Sequence, residues 1–132
     1  MMMPAGRYYV GDLCYVLNDD DWSNVCEKTI KDGQPVDGEF ILSDGRVIAT
    51  YRTKWGDGLF YSNIGTVHCV DSGSIGCILE SDINIKLPEH INELGAFVDI
   101  STDFKTGEHE GIIQFGFLSI DTDPVFDEDY VE

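Results

Sequence analysis

Residues 67–79 read VHCVDSGSIGCIL, two short apolar runs on either side of a polar hinge that contains glycine. The runs are Val67–Val70 and Ile75–Leu79, and the hinge is residues 71–74. This pattern is typical of a β-turn between two buried strands. The hinge also carries a compact polar pair, Asp71 with Ser72. We therefore interpret the stretch as a central β-hairpin.

Strand patterns and turn signals recur on both sides of this hairpin. Asp44-Gly45 is the strongest short hairpin signal in the chain, between predicted strands at 38–43 and 46–53. Turns at 55–58 and 62–65 enclose a short strand at 59–61. Further strands are predicted at 7–17, with a bend at Gly11-Asp12, and at 96–101 and 112–120, the last two joined by a polar loop at 102–111. Turn spacings of about eight to twelve residues indicate an antiparallel meander sheet or a partly closed barrel.

One amphipathic helix is predicted from about Asp19 to Lys31. Asn18 or Asp19 provides the N-cap, and acidic residues occupy the first turn, where they complement the helix dipole. Asp32-Gly33 follows as a C-terminal stop. The apolar face of this helix consists of Trp22, Val25, Cys26 and Ile30. A shorter helical segment is predicted at 88–95. The fold class is therefore α+β and β-rich, with one packed helix.

The length of 132 residues predicts one domain, which we place at 1–120, followed by an acidic tail at 121–132. The alternating apolar residues predict a core composed of Val10, Tyr15, Trp22, Cys26, Phe40, Leu42, Val47, Ala49, Val70, Ile75, Ile78, Phe97, Phe115 and Phe117. The other aromatic residues are attributed to core and strand packing as well.

The charge balance restricts the classes of partner. Eight basic residues against 25 acidic ones give a net charge of −17. Such a field repels nucleic acid phosphates and anionic membrane surfaces, so we expect no direct binding to either. Three interpretations remain: solubility, affinity for a basic protein, and mimicry of a polyanion.

The cysteines and the first residues indicate a cytoplasmic protein that is not secreted. The sequence begins MMMPAG and shows no apolar segment of a signal peptide, and no run is long enough to span a membrane. The cysteine positions include no Cys-x-x-Cys pair, so we expect four free, buried thiols and no metal site. They are Cys14, Cys26, Cys69 and Cys77.

The last twelve residues, DTDPVFDEDYVE, combine six acids with apolar anchors. Composition alone allows a free, solvated tail or a segment that docks on a basic partner. If the segment docks, the predicted partner-binding residues are Asp121, Asp123, Phe126, Asp127, Glu128, Asp129 and Tyr130.

Three aspartates next to glycines suggest an alternative site. Asp12, Asp57 and Asp71 each lie at a predicted turn, and Ser72 follows Asp71. If the turns meet at one end of the sheet, these oxygens suit a hard divalent cation or a small-molecule ligand, and a hydrolytic activity is one form of this alternative. The simpler interpretation is turn chemistry, in which each carboxylate accepts from nearby backbone N–H groups.

Other chemistry receives less support from the local pattern. Ser72 lies in a predicted strand-to-strand turn, not in a nucleophile elbow, and His68 and Cys69 point to opposite faces of a strand. We therefore expect no catalytic residue and no cofactor. Stacking of bases on the aromatic residues would need a basic groove, for which eight scattered basic residues are insufficient.

The segments GDLCY at 11–15, the Trp22 helix, GDG at 56–58 and VDSGSIG at 70–76 form a distinctive set. They resemble an uncharacterised family of short proteins from large DNA viruses, bacteriophages and bacteria, over about residues 4 to 80. The resemblance implies a viral or bacterial cytosolic setting and carries no known activity.

Together these features predict a non-enzymatic acidic interaction protein of viral origin that binds a basic protein partner. It would act as an inhibitor of a host nucleic-acid-binding protein or as an accessory component of a virion. The aspartate-based ligand or metal site is the alternative, and an acidic domain without a defined partner is a third interpretation. The sequence does not fix the oligomeric state.

Overall fold

The computed structural model describes residues 2–123. The strands are β1 Gly6–Gly11, β2 Ile30–Lys31, β3 Gln34–Pro35, β4 Gly38–Ile41, β5 Val47–Arg52, β6 Gly58–Tyr61, β7 Val67–Val70, β8 Ser74–Leu79, β9 Ala96–Ile100, β10 Thr106–His109, β11 Ile112–Phe115 and β12 Leu118–Asp121. The helices are α1 Asp19–Lys28 and the short α2 Ile91–Leu94, and 3-10 turns lie at Leu13–Tyr15 and Glu80–Asp82.

The centre of the fold is an antiparallel five-stranded sheet in the order β4-β5-β8-β1-β9. Ile78 of β8 lies between Ile48 of β5 and Tyr9 of β1, so the middle of the sheet is apolar on that face. The predicted β-rich α+β class, with antiparallel strands and one packed helix, is confirmed, and the described sheets are not closed into a barrel.

One face of this sheet is covered by smaller antiparallel sheets. Hairpin β6-β7 and the three-stranded sheet β10-β11-β12 pack their inward side chains against it. A bridge between Ser62 and Ile120 links the two smaller sheets. The core between these layers includes Tyr8, Val10, Tyr51, Phe60, Ile75, Cys77, Ile113, Phe115, Leu118 and Ile120.

The opposite face is covered by the helices and the first 3-10 turn. Tyr9, Ile48 and Ile78 point to this side because alternate residues of a strand face opposite ways. They pack against Leu13, Val16, Leu17, Val25 and Ile91, with Trp22 at the margin. The molecule is thus a central sheet between a helical layer and a second β layer.

The predicted hairpin around residues 71–74 is wrong in its pairing. The strands β7 and β8 exist, but β7 pairs with β6, whereas β8 lies between β5 and β1. Residues 71–74 are therefore a corner between two sheets. Alternation and turn residues are the same for a corner and a hairpin, so the local pattern did not distinguish them.

Other predicted elements differ in extent. The predicted strand 7–17 ends at Gly11 and is followed by the 3-10 turn Leu13–Tyr15. Helix α1 ends at Lys28, and Asp32-Gly33, both with positive φ, form the turn of the small β2-β3 hairpin. The predicted strand 112–120 is a hairpin that turns at Gly116, where φ is 59°, and β10 lies within the predicted loop 102–111. Because the residues on both sides of Gly116 are apolar, the sequence pattern did not indicate this turn.

The predicted core is largely confirmed, with two errors. Cys26 is exposed on α1, and Phe117 is 51% exposed in the β11-β12 turn. Tyr15, Trp22, Phe40, Val47 and Phe97 are partly buried and pack at the edges of the core.

The start of the predicted tail belongs to the fold. Asp121 ends β12, and Thr122 is fully buried. Residues 124–132 lie outside the described part of the chain.

Candidate functional site

The Asp12 carboxylate lies at the junction between β1, the first 3-10 turn and the 71–74 corner. It is fully buried. Its Oδ2 accepts from the backbone N–H groups of Asp71 at 2.8 Å and Ser72 at 2.6 Å. Its Oδ1 accepts from the Ser72 hydroxyl at 2.8 Å and from the N–H of Cys14 at 3.1 Å. An ionised carboxylate has about four acceptor sites, so Asp12 is fully occupied by protein donors.

The backbone conformation on both sides of the contact places Asp12 in this position. Gly11 precedes it, and a β-carbon there would lie 2.7 Å from the Tyr9 hydroxyl oxygen. Asp12 then caps the 3-10 turn through Cys14. On the other side, Gly73 has a φ of 88°, which allows the corner to turn its N–H groups toward the carboxylate. Asp12 acts here as a clamp between two parts of the backbone.

The predicted aspartate site comes together only in part. Asp12, Asp71 and Ser72 meet, but Asp71 contributes its backbone N–H to the contact, not its carboxylate. Gly58 pairs with Val70 in the antiparallel β6-β7 ladder. Asp57, just before Gly58, and Asp71, just after Val70, therefore lie at the same end of the ladder, and both are exposed. Within residues 2–123, no group of three His, Cys, Asp or Glu side chains is arranged to hold a metal ion.

The groups around Asp12 are held in their protonated forms. Burial raises the pKa of the Tyr9 phenol, and the charge of Asp12 raises it further. Burial also raises the pKa of the Cys14 thiol, and the hydrogen bond between this thiol and Asp12 raises it further. A thiol is nucleophilic as the thiolate, so Cys14 is a poor nucleophile at neutral pH. The Tyr9 hydroxyl has no hydrogen-bond partner among the described residues.

His68 is fully buried and has a structural geometry. Its Nδ1 lies 3.0 Å from the Val10 carbonyl oxygen and its Nε2 lies 2.7 Å from the Thr66 hydroxyl. Because a carbonyl only accepts, Nδ1 carries the proton and Nε2 accepts from Thr66. Burial lowers the pKa of His68 to about 4, so the ring is neutral. Both ring nitrogens are occupied, and the Ser72 hydroxyl donates to Asp12, so these residues do not form a catalytic triad.

The thiols do not share one environment. Cys77 is buried, Cys14 and Cys69 are partly exposed, and Cys26 is exposed, and all four are free. The expectation that all four are buried is therefore wrong for three of them. Cys26 lies on α1, where Val25 is the buried residue.

Two of the predicted partner-binding residues fall within the described chain. Asp123 accepts from the Trp55 indole N–H at 2.8 Å, and Asp121 accepts from the backbone N–H of Asp123 at 2.9 Å. The other predicted residues lie outside the described part of the chain: Phe126, Asp127, Glu128, Asp129 and Tyr130.

Side chains that the sequence assigned to packing are exposed next to these acids. Trp55 is 72% exposed and Tyr61 is 57% exposed. Leu59 is also exposed, whereas Phe60 between Leu59 and Tyr61 is buried. The signal was present in the sequence, because three consecutive apolar residues in a strand cannot all face the same side.

The arginines are paired with acidic residues. Arg7 contacts Glu80 and Asp99, each at 3.3 Å. Arg52 contacts Asp37 at 3.2 Å. Arg46 is held more tightly, with Asp21 and Asp44 each 2.7 Å from its guanidinium. Each pair neutralises one charge of each sign, so the net charge of −17 is unchanged by them.

A groove of about 840 Å³ lies away from the aspartates, between the loop after β9 and the outer side of β10 and β11. Its rim carries side chains of both charges, including Asp103, Lys105 and Glu108. The groove does not contain Asp12, Asp57 or Asp71, so the predicted alternative ligand site and this groove are separate.

The described helices include none with the length and apolar character that crossing a membrane requires. No protein-family model matches the chain, and no curated protein or solved structure is significantly similar to it. The resemblance to short viral and bacterial proteins stays a prediction.

Proposed function

We propose that this protein is a non-enzymatic interaction protein that binds a basic protein partner through its acidic surface. The observation that carries the proposal is the net charge of −17. A second supporting observation is that Arg7, Arg46 and Arg52 are each paired with an acidic residue of the same chain. An acidic surface of this strength attracts a basic partner, speeds its association and makes binding sensitive to salt.

The chemistry around Asp12 favours this proposal over an enzymatic one. The Asp12 carboxylate accepts hydrogen bonds from four protein donors, and the nearby Cys14 thiol is kept protonated. Neither group is available to a substrate. The polar network therefore supports the fold, and the exposed acids remain as the surface with which a partner can interact.

The setting we propose is cytoplasmic, in an infected host cell or in a virion. In one version the protein covers the basic, nucleic-acid-binding surface of a host protein and inhibits it. In the other version it is an accessory component of the virion, attached to a basic shell protein. Both versions use the same attraction between an acidic surface and a basic groove.

Deletion of the segment after residue 123 tests the proposal. The cut follows Asp123 because Thr122 is buried and belongs to the fold. The truncated protein should keep its melting temperature and should bind a basic partner from the native host more weakly than the full chain. Affinity capture at low and high salt identifies that partner, and binding that does not weaken with salt would contradict the proposal.

A further inference from the structure

The sequence contains four Asp-Gly pairs, at residues 32–33, 37–38, 44–45 and 57–58, and it contains no Asn-Gly pair. In an Asp-Gly pair the side-chain carboxyl can react with the next backbone nitrogen, because glycine has no β-carbon to hinder the approach. The structure gives the four pairs different environments. These environments separate one pair from the other three.

The reaction is a ring closure followed by hydrolysis. The glycine nitrogen attacks the aspartate Cγ and an N–Cγ bond forms. The nitrogen gives up its proton, and one carboxyl oxygen leaves as water, so the product is a five-membered succinimide. Water then attacks one of the two ring carbonyls. Attack at Cγ restores aspartate, whereas attack at the main-chain carbonyl carbon breaks its bond to nitrogen and gives isoaspartate, in which the main chain runs through Cβ and Cγ.

Two of the glycine N–H groups donate within the β4-β5 hairpin. The Gly45 N–H donates to the Leu42 carbonyl at 2.9 Å, and the Leu42 N–H donates to the Arg46 carbonyl at 2.8 Å. Hydrogen-bonded pairs alternate along an antiparallel ladder. Gly38 lies four residues before Leu42 and is opposite Thr50, so these two form a hydrogen-bonded pair and the Gly38 N–H is occupied.

The Gly58 N–H is occupied for the same reason. The Ser62 N–H donates to the Thr66 carbonyl at 2.9 Å, at the closed end of the β6-β7 hairpin. Gly58 lies four residues before Ser62 and is opposite Val70. The alternation therefore makes Gly58 and Val70 a hydrogen-bonded pair.

Two of these three pairs are also held at the carboxylate. Asp37 accepts from the Arg52 backbone N–H at 3.1 Å and from the Arg52 guanidinium at 3.2 Å. Asp44 accepts from the Arg46 guanidinium at 2.8 Å, and this hydrogen bond holds the pKa of Asp44 below its ordinary value. Hydrogen bonds to the charged form keep a carboxyl ionised. Because the carboxyl must be protonated to lose water, these contacts oppose ring closure.

The pair Asp32-Gly33 has neither form of protection. Among residues 2–123, no group donates to the Asp32 carboxylate and none accepts from the Gly33 N–H. Lys31 and Gln34 form the pair that closes this two-residue loop, so the hydrogen bonds of the turn belong to them. Both loop residues are exposed, and no atom lies within 4 Å of the β-carbon position of Gly33.

The hairpin around this pair is small and exposed. Its strands β2 and β3 have two residues each, and all four are exposed. Asp32 has a φ of 54°, a left-handed conformation that is unfavourable for a residue with a β-carbon. Small elements with few buried contacts open locally at low cost. Opening of the turn frees the Gly33 nitrogen to rotate toward the Asp32 side chain.

We infer that Asp32-Gly33 is a modification site, at which this chain converts spontaneously to isoaspartate through a succinimide. The product has one more main-chain atom in a loop whose length sets the register of the hairpin. The modification should therefore release β2 from β3 and leave the central sheet unchanged. It does not depend on the proposed function or on a partner.

Ageing of the full-length protein at neutral pH and physiological temperature tests this inference. Trypsin produces one peptide, residues 32–46, that holds three of the pairs, and a second, residues 55–86, that holds the fourth. Electron-transfer fragmentation distinguishes isoaspartate from aspartate at each position. We expect isoaspartate to form at position 32 at least about fivefold faster than at the other three, because their glycines must first give up a hydrogen bond.

The same chain in guanidinium chloride is the control for effects of the neighbouring residues. Without the fold all four pairs are solvated, so their rates should become similar. If the preference for position 32 were the same in guanidinium chloride, the neighbouring residues would explain it and the structural assignment would be wrong. A folded chain in which position 32 reacts no faster than the other three would overturn the inference as well.

Asp32→Asn and Asp37→Asn are a matched pair of variants. Asparagine forms the same succinimide with loss of ammonia, and hydrolysis of that ring then raises the mass of the chain. Asp32→Asn should gain mass at least about fivefold faster than Asp37→Asn. Asp32→Glu, whose ring would need six members, should abolish the signal at position 32 and keep the melting temperature. Equal rates in the two asparagine variants would contradict the role of the free Gly33 N–H.

Discussion

The Ser72 backbone N–H and side-chain hydroxyl both donate to the Asp12 carboxylate, which lies 60 residues earlier in the chain. The contact joins the end of β1 to the corner between β7 and β8, and Asp12 is fully buried in it. Strand β7 before Asp71 and strand β8 after it belong to different sheets. The Asp12 carboxylate therefore holds these two sheets in their relative positions.

Removal of this carboxylate should destabilise the fold strongly. Asp12→Ala removes a fully buried carboxylate and leaves the N–H groups of Cys14, Asp71 and Ser72 without their acceptor. A hydrogen bond to a charged group contributes about 1.5 to 3 kcal/mol, so we expect the loss of several to lower the free energy of unfolding by at least about 3 kcal/mol, measured by urea denaturation.

Two neighbouring variants calibrate that result. Ser72→Ala removes one hydrogen bond to a charged group and should cost about 2 kcal/mol. Asp71→Ala keeps the backbone N–H that Asp12 uses and should change stability by less than about 0.5 kcal/mol. If Asp12→Ala were no more destabilising than Asp71→Ala, the clamp would not exist.

The buried imidazole of His68 should make the protein less stable in mild acid. Its pKa is lowered from 6.5 to about 4 by burial, so between these values the unfolded chain binds a proton that the folded chain does not. The contribution of the neutral His68 ring to the free energy of unfolding is fully present above pH 6.5. It is lost as the pH falls toward 4, by about 3 kcal/mol in total.

Urea denaturation at several pH values measures this effect. Carboxylates also titrate in this range, so the comparison is with His68→Gln, which lacks the imidazole. The variant should be less stable at neutral pH and should lose less stability between pH 6.5 and 4 than the wild type. Equal slopes for the two proteins would contradict the assignment.

Arg46 should contribute more to stability than Arg52. The Arg46 side chain is 11% exposed, contacts Asp21 and Asp44, and donates to the Asp82 carbonyl at 3.2 Å. It thereby connects α1, the β4-β5 turn and the second 3-10 turn. Arg46→Ala leaves acidic groups without their partner and should cost about 2 kcal/mol.

Arg52 provides the matched control for this variant. It is 55% exposed and pairs with Asp37 alone among the acids of residues 2–123. Exposed ion pairs contribute little, so Arg52→Ala should cost less than about 1 kcal/mol. Thermal denaturation at low and high salt compares the two, and a larger loss for Arg52→Ala would show that burial is not the deciding factor.

Gly76 should not tolerate a side chain. A β-carbon at this position of β8 would lie 2.5 Å from the Ala49 carbonyl oxygen and 2.8 Å from a methyl carbon of Leu13. The backbone oxygen cannot move without breaking the β5-β8 ladder, so Gly76→Ala should destabilise the protein by about 2 kcal/mol or more.

Gly107 on β10 is the control for a glycine with open space. No atom lies within 4 Å of the β-carbon position there, and its φ is not in the left-handed region. Gly107→Ala should be neutral or stabilise by about 0.5 kcal/mol, since alanine has less freedom to lose on folding. Urea denaturation of both variants checks the pair.

The sequence by itself determined the local elements. Asn18, one of the two predicted N-caps, caps α1 by accepting from the N–H of Asp21. Asp44-Gly45 connects β4 to β5, and Val47, Ala49 and Tyr51 share one face of β5. These features depend on side-chain chemistry and on residue spacing within a few positions, which a sequence displays directly.

Only the tertiary structure decided which strands are neighbours and which side of each small sheet is exposed. β8 pairs with β1 and β5, not with the adjacent β7, and Leu59 and Tyr61 face outward while Phe60 faces inward. The Asp12 carboxylate finds its donors 59 and 60 residues away. An alternating strand specifies that one face is buried, but the partner that buries it is chosen by packing of the whole chain. For the same reason, the sequence grouped Asp12 with Asp57, Asp71 and Ser72 and predicted acceptance from nearby backbone N–H groups, such as that of Cys14, but it gave no sign that the Asp12 carboxylate would bind N–H groups 59 and 60 residues away.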